Sequence, residues 1–408
     1  MTPSPCPSPM HRTEFVALMA MMVSTVAFSM DAMLPALPQI GAELSPAEPA
    51  RAALILTSFV LGMGLGTFIS GPLSDAFGRR PIIFLGAGLY IASACLAFVA
   101  PTLEIMLLAR LLQGLGAAGP RIVSLAIMRD LFSGREMARI VSIVMIFFTI
   151  VPAIAPALGM GIIAAFGWKA IFLSFILFSL ISVLWLGLRL PETLPHNQRR
   201  PLRLALIHDA IRQMFAHPAV RLSIIVQTLA LAMLFSVLML VQPIYADVFN
   251  RAESFPFWFG LVALLSGGSS LLNAVLVVRL GMRRLVTIAL GSQIALSAGM
   301  LALAGNTGDY SFALFILWQF FLFFQAGLTL GNLNAIAMEP MGHIAGMAAS
   351  VIGAISTICA AAIASPIGLM FDGTTSPLVL SVLIMAALGY ALMLYMGHLE
   401  RRDQPRHP

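Results

Sequence analysis

The sequence predicts an all-α membrane protein of twelve transmembrane helices, arranged as two pseudo-symmetric six-helix bundles. Three observations carry this: a composition poor in charge, twelve apolar runs of spanning length, and an echo of the first half in the second. Of 408 residues, 60% are hydrophobic and only 10% are charged, where a soluble domain carries about 25% charged residues.

A spanning helix needs about 20 mainly apolar residues. Such segments fall at 14–36, 51–73, 81–100, 103–127, 138–164, 169–190, 221–245, 257–278, 284–304, 311–337, 346–370 and 377–397; they are numbered span 1 to span 12. The first has no small-x-small cleavage site and is read as a retained helix. The opening MTPSPCPSPM is Pro/Ser-rich and is expected to be disordered. The domain plan is a tail at 1–13, a bundle at 14–190, a cytoplasmic linker at 191–220, a second bundle at 221–398 and a tail at 399–408.

The net charge of +6 would admit a nucleic-acid partner if it were clustered on one face. Instead it follows topology. With the N-terminus inside, only Arg51, Lys169 and Arg251 of the 23 Lys and Arg residues fall outside, and Arg110 and Arg121 lie within a span. This positive-inside bias puts both termini in the cytoplasm and removes the nucleic-acid reading. The three cysteines, Cys6, Cys95 and Cys359, match no metal spacing and are expected to be packing residues. The seven histidines lie in loops or tails without ligand spacing, and no nucleotide-binding loop is present, so no metal, cofactor or enzymatic constellation is expected.

The halves echo each other at three places. GRR (78–80) closes the loop after span 2 and GMRR (281–284) the loop after span 8. QGLGAAG (113–119) in span 4 has a counterpart in QAGLTLG (325–331) in span 10, and Pro156 in span 5 corresponds to Pro366 in span 11. Such repeats are typical of transporters that rock two halves around a central site.

Charges and breakers inside the spans are the candidate working parts. Asp31 stands in VAFSMDAMLPALP (26–38), near the end of an apolar run with no other charge after Phe15. An ionised carboxylate there costs roughly 2.5–3.5 kcal/mol on insertion scales. Arg110 and Arg121 in span 4 are eleven residues apart, close to three helical turns, and so share a face with Gln113, Ala117 and Ser124 nearby. Arg121, nearer the cytoplasm, could also snorkel. Span 5 holds Pro152, Pro156 and Gly159, which allow a bend. The loop GPLSDAFGRRP (71–81) holds Gly71, Asp75, Gly78, Arg79 and Arg80; Asp75 sits at a helix C-terminus, where it should seek a basic partner or another helix's N-terminus. LGMGLG (61–66) is a small-residue stripe for close helix contact. The second half offers neutral polar residues, among them Gln325 and Asn332, and an aromatic-rich span 10.

The loop at 71–81 resembles the signature of the major facilitator superfamily at Gly71, Leu73, Asp75, Gly78, Arg79 and Arg80, with Ser74 and Ala76 departing from it. Arg110, Gln113 and Gly114 match the superfamily's span-4 motif, and Pro156 and Gly159 part of its antiporter motif. DAMLPALP, with MRDLF after span 4 and PETL after span 6, resembles the Bcr/CflA group of bacterial drug exporters. The resemblance implies the major facilitator fold, a cytoplasmic gate at 71–80, and a monomer that exchanges protons for small, partly hydrophobic compounds. Asp31 and Arg110 would serve proton coupling, and Gln113, Arg121, Gln325 and Asn332 would line the substrate cavity. Either Arg110 and substrate compete to set the charge of Asp31, or the two form a permanent structural ion pair. The competing functions are a proton-coupled importer of a nutrient and a non-transporting sensor; the lack of a long soluble domain argues against the sensor.

Overall fold

The computed structural model describes residues 10–199, 204–303 and 309–403. Twelve helices are long and apolar enough to cross a membrane: Arg12–Leu44, Pro49–Phe77, Arg79–Phe98, Leu103–Leu131, Gly134–Phe166, Ala170–Arg189, Pro218–Val248, Phe255–Leu280, Met282–Ala302, Tyr310–Gly342, Gly346–Leu369 and Ser376–Leu399. They coincide with the twelve expected spans and extend several by a turn beyond the apolar run. Among the described residues no strand is formed. The Pro/Ser-rich start and Cys6 lie outside them, apart from Met10, which is buried.

The chain divides into two compact units, Met1–Arg203 and Leu204–Pro408. In the first, span 4 packs on spans 1, 2 and 3, span 1 also on spans 5 and 6, and span 3 on span 6. In the second, span 10 packs on spans 7, 8 and 9, span 7 also on spans 11 and 12, and span 9 on span 12. Each unit thus repeats one pairing scheme with its spans shifted by six. This gives structural content to the weak sequence echoes.

Close helix approach in the first unit is made by glycine. A Cβ on Gly62 would strike the Leu111 carbonyl, and one on Gly114 the Phe59 carbonyl, so spans 2 and 4 touch backbone to backbone. On the opposite side Gly116 lies against the Gly86 carbonyl and the Tyr90 backbone of span 3, at 2.6 Å from a Cβ built on it. Span 4 is therefore clamped on two sides. In a membrane such packing replaces the hydrophobic drive that water would supply.

The first span of each unit is broken. Regular helix ends at Asp31, and a 3₁₀ turn over Leu34–Ala36 precedes the helix Leu37–Leu44. The cause is local: Pro35 has no N–H to give the carbonyl four residues before it, which belongs to Asp31. Span 7 passes at Pro243 into a π turn over Ile244–Val248, a rare element common at functional sites. Span 5, by contrast, runs as one helix through Pro152 and Pro156.

Two expectations need correction. Cys95 and Cys359 are exposed, not packed in a core; a helix face turned toward hydrocarbon accepts an apolar thiol as readily as an interior does. The segment 191–220 is not all loop, for it holds the helix Leu204–Ala216. Its sequence, LALIHDAIRQMFA, repeats apolar residues every three to four positions.

Gly114→Leu should lower the thermal midpoint of the purified protein by overpacking the span 2–span 4 crossing, at a cost of about 1–3 kcal/mol. Gly88→Leu, at a glycine with nothing within 4 Å of an added Cβ, should leave it unchanged.

Candidate functional site

Asp31 is 6% exposed at the break of span 1, and among the described residues it has neither a hydrogen bond nor an ion pair. The helix of span 5 presses against this point, where Gly159 lies directly under the carbonyl of Ala32. A missing Cβ thus sets how closely span 5 approaches the carboxylate.

Arg110 is fully buried in span 4. Its Nη1 donates to Gln113 Oε1 at 2.6 Å and its Nη2 to the Ser29 carbonyl at 2.9 Å. The guanidinium lies over the Phe59 ring, 4.4 Å from the centroid, with Phe175 at 5.9 Å. Carbonyl, amide and ring faces compensate the buried cation in place of an acid. Ser29 is itself fixed: its Oγ donates to the Thr25 carbonyl at 2.7 Å, and the Tyr90 hydroxyl donates to that Oγ at 2.5 Å. Spans 1, 3 and 4 are thereby tied together two residues before Asp31. The permanent Asp31–Arg110 ion pair is not formed, because the guanidinium is spent on the backbone of span 1. Arg110 Nε and Gln113 Nε2 remain without an acceptor.

Arg121 is half-buried, and its one polar contact among the described residues is Met63 Sδ at 3.9 Å. Ser124, on the same face, turns inward and donates to the Pro120 carbonyl.

The loop after span 2 forms a separate cluster around Arg79, whose side chain is 6% exposed. Its Nε donates to Asp130 Oδ2 at 2.8 Å and Nη2 to Asp130 Oδ1 at 3.3 Å, while Nη1 reaches Ser74 Oγ at 2.8 Å and Asp75 Oδ1 at 2.5 Å. Glu192 accepts the backbone N–H groups of Arg79 and Arg80 at 2.9 and 3.0 Å, so its negative charge sits on the N-terminus of span 3. Arg80 donates to the Gly187 carbonyl. Gly78 turns the chain between spans 2 and 3 at φ +106°, a left-handed value that favours glycine. Gly71 lies inside the span 2 helix.

In the second unit Gln325 donates to Thr329 Oγ1 at 3.0 Å, one turn along its own helix, and Asn332 donates to Asn273 Oδ1 of span 8 at 2.7 Å. Each therefore has its own partner, and the two are not joined. The span 10 aromatics gather partly into a cluster: Phe312, Phe315 and Trp318 are buried, with Phe312 and Phe315 against Tyr245, whose hydroxyl donates to Gln319 Oε1 at 3.0 Å.

Several residues were not singled out by sequence. Ser29, Tyr90, Phe59 and Phe175 carried no signal, since each is an ordinary residue of an apolar helix until the partner helix is known. Asp130 and Glu192 lay within MRDLF and PETL, noticed only as resemblances. Among the described residues no group of His, Cys, Asp or Glu could hold a metal ion.

The sequence matches the family described as Major Facilitator Superfamily over residues 17–365. The chain belongs to the major facilitator superfamily. It is similar to a bicyclomycin resistance protein homolog of Haemophilus influenzae, 26% identical over 380 residues that cover 92% of this chain and 95% of that one. It is also similar to the multidrug resistance protein MdtL of Escherichia coli, 27% identical over 332 residues, 81% of each chain. Among solved structures, a D-xylose–proton symporter superposes with a TM-score of 0.72 at 15% identity over 94% of this chain and 97% of that one, a likeness of fold alone. This member of the superfamily is thus a multi-pass membrane transporter and not an enzyme.

Two stability measurements check the geometry. Asp31→Asn should change unfolding free energy by less than about 1 kcal/mol, since no partner is lost; a buried ion pair broken from one side would cost about 3–5 kcal/mol. At the loop, Asp130→Asn should cost about 2 kcal/mol, as expected for hydrogen bonds to a charged group. Asp75→Asn, whose side chain is 48% exposed, should cost clearly less.

Proposed function

We propose that this transporter exports small, partly hydrophobic compounds across a bacterial inner membrane in exchange for protons, by alternating access, as a monomer with both termini in the cytoplasm. The observation that carries the reading is Asp31: a buried carboxylate at a helix break with no partner among the described residues, while Arg110 is engaged elsewhere. A carboxylate with no partner in a low-dielectric span is ionised only at a cost, so the charge it gains on losing a proton must be offset by something that arrives. Substrate can supply that offset. Opened outward, Asp31 takes up a proton; opened inward, it releases the proton as substrate binds, and the cycle moves the two in opposite directions. Arg110 holds span 1 in register beside the site. The span 5 helix, seated on Ala32 through Gly159, is the element best placed to alter the surroundings of Asp31 between states.

The similarity to proteins named for bicyclomycin and multidrug resistance supports export over uptake. Gln113, Arg121, Gln325 and Asn332 are proposed to meet substrate. The cluster of Arg79, Asp75 and Asp130 is proposed as part of the cytoplasmic gate, where loss of an anion would shift the resting state toward opening inward. Protons, the small compound and the bilayer are the partners in this scheme; nucleic acid has no part in it.

Everted membrane vesicles with an imposed proton gradient test the proposal. The wild type should accumulate ethidium when the interior is acid, whereas Asp31→Asn should lose gradient-driven accumulation and keep downhill exchange. Full gradient-driven transport by a well-folded Asp31→Asn protein would remove Asp31 from the mechanism, and accumulation only under the reversed gradient would make the protein an importer. For topology, a cysteine introduced by Asn197→Cys should react with an impermeant maleimide only from the cytoplasmic face.

A further inference from the structure

Away from their ends, the spans of the first unit carry three charges: Asp31, Arg110 and Arg121. Arg110 is compensated by fixed dipoles and two rings. Arg121 is not. Its polar contact is a thioether, a weak acceptor, and no carboxylate lies within ion-pair distance of it among the described residues.

Snorkelling does not explain the residue. From Arg121 to the Leu131 end of span 4 is ten residues, roughly 15 Å at the helical rise, beyond the length of one side chain. Helical side chains also lean toward the N-terminus of their own helix, here away from that end. The contact with Met63 bears this out: Met63 lies fourteen residues, roughly 21 Å, before the matching end of span 2 at Phe77. The guanidinium is thus turned toward the middle of the membrane. It is half-buried where Arg110 is sealed, so something can still reach it.

A cation kept at mid-span, reachable and without an acid, is a binding group for an anion. Guanidinium geometry favours a planar carboxylate, which it meets with two parallel hydrogen bonds. We infer that the compounds this protein carries include amphipathic organic carboxylates, and that Arg121 holds their charged end. The inference rests on the exporter reading for the direction of transport, but the binding step does not depend on it.

A matched pair of probes tests this, 1-naphthaleneacetate and its neutral amide, which share an apolar body and differ in charge. Binding is measured by microscale thermophoresis on the full chain in nanodiscs, for wild type, Arg121→Lys and Arg121→Gln. The wild type should prefer the carboxylate by about tenfold, equivalent to about 1.4 kcal/mol. The preference should fall to near unity in Arg121→Gln and survive in part in Arg121→Lys. Thermal midpoints should not fall, because no internal partner is lost. Equal affinity of the wild type for both probes, binding of neither, or a preference unchanged by Arg121→Gln would overturn the inference. Ethidium accumulation in vesicles is read in parallel. If ethidium is exported while the carboxylate preference is absent, only the assignment of Arg121 fails. If the preference is present and nothing is exported, the exporter reading fails and the anion site stands.

Discussion

A charge inside a membrane span must be compensated by the protein, and the way Arg110 is compensated governs the rest of the site. Its guanidinium is held by the Ser29 carbonyl, by Gln113 and by the faces of Phe59 and Phe175. None of these is an acid. The cation therefore binds span 4 to the backbone of span 1 while leaving the carboxylate two residues further along that backbone unneutralised. Had Arg110 paired with Asp31, both would be structural. As it stands, Arg110 is a fixture and Asp31 is left without a partner among the described residues.

The fixture depends on packing that glycine permits. Gly62 and Gly114 bring spans 2 and 4 to backbone contact, and Gly116 does the same for spans 3 and 4. Tyr90, on span 3, reaches Ser29 because that approach is close. Along span 4 the two arginines differ: Arg110 faces a ring of partners, and Arg121, eleven residues on, faces a single thioether. At the opposite end of the unit Arg79 plays a third part, gathering Asp75, Asp130 and Ser74 while Glu192 caps the helix that Arg79 begins.

Much of this was legible in the sequence. The twelve spans followed from hydropathy because an apolar run of that length has few other uses, and the shared face of Arg110 and Arg121 followed from helical spacing. The break after Asp31 could have been found as well, since Pro35 stands four residues on and can give that carbonyl no N–H. What was not legible was partnership between helices. Nothing in the sequence assigns Arg110 to a backbone carbonyl of span 1 rather than to Asp31, since carbonyls are everywhere. Ser29 and Tyr90 look like any serine and tyrosine in an apolar helix. Asp130 and Glu192 were visible as motifs, but their convergence on Arg79 needs the fold. Cys95 and Cys359 misled because burial rules drawn from water-soluble proteins do not hold on a lipid-facing surface.

The central claim is that Asp31 exchanges a proton because no internal cation neutralises it. Infrared difference spectroscopy of the purified protein, titrated across physiological pH, reads this most directly. The account predicts a protonated-carboxyl stretch that disappears as pH rises, is absent in Asp31→Asn, and persists in Arg110→Lys. A carboxyl band that shows no contribution from Asp31 at any pH, or one from Asp31 that never titrates, would contradict it.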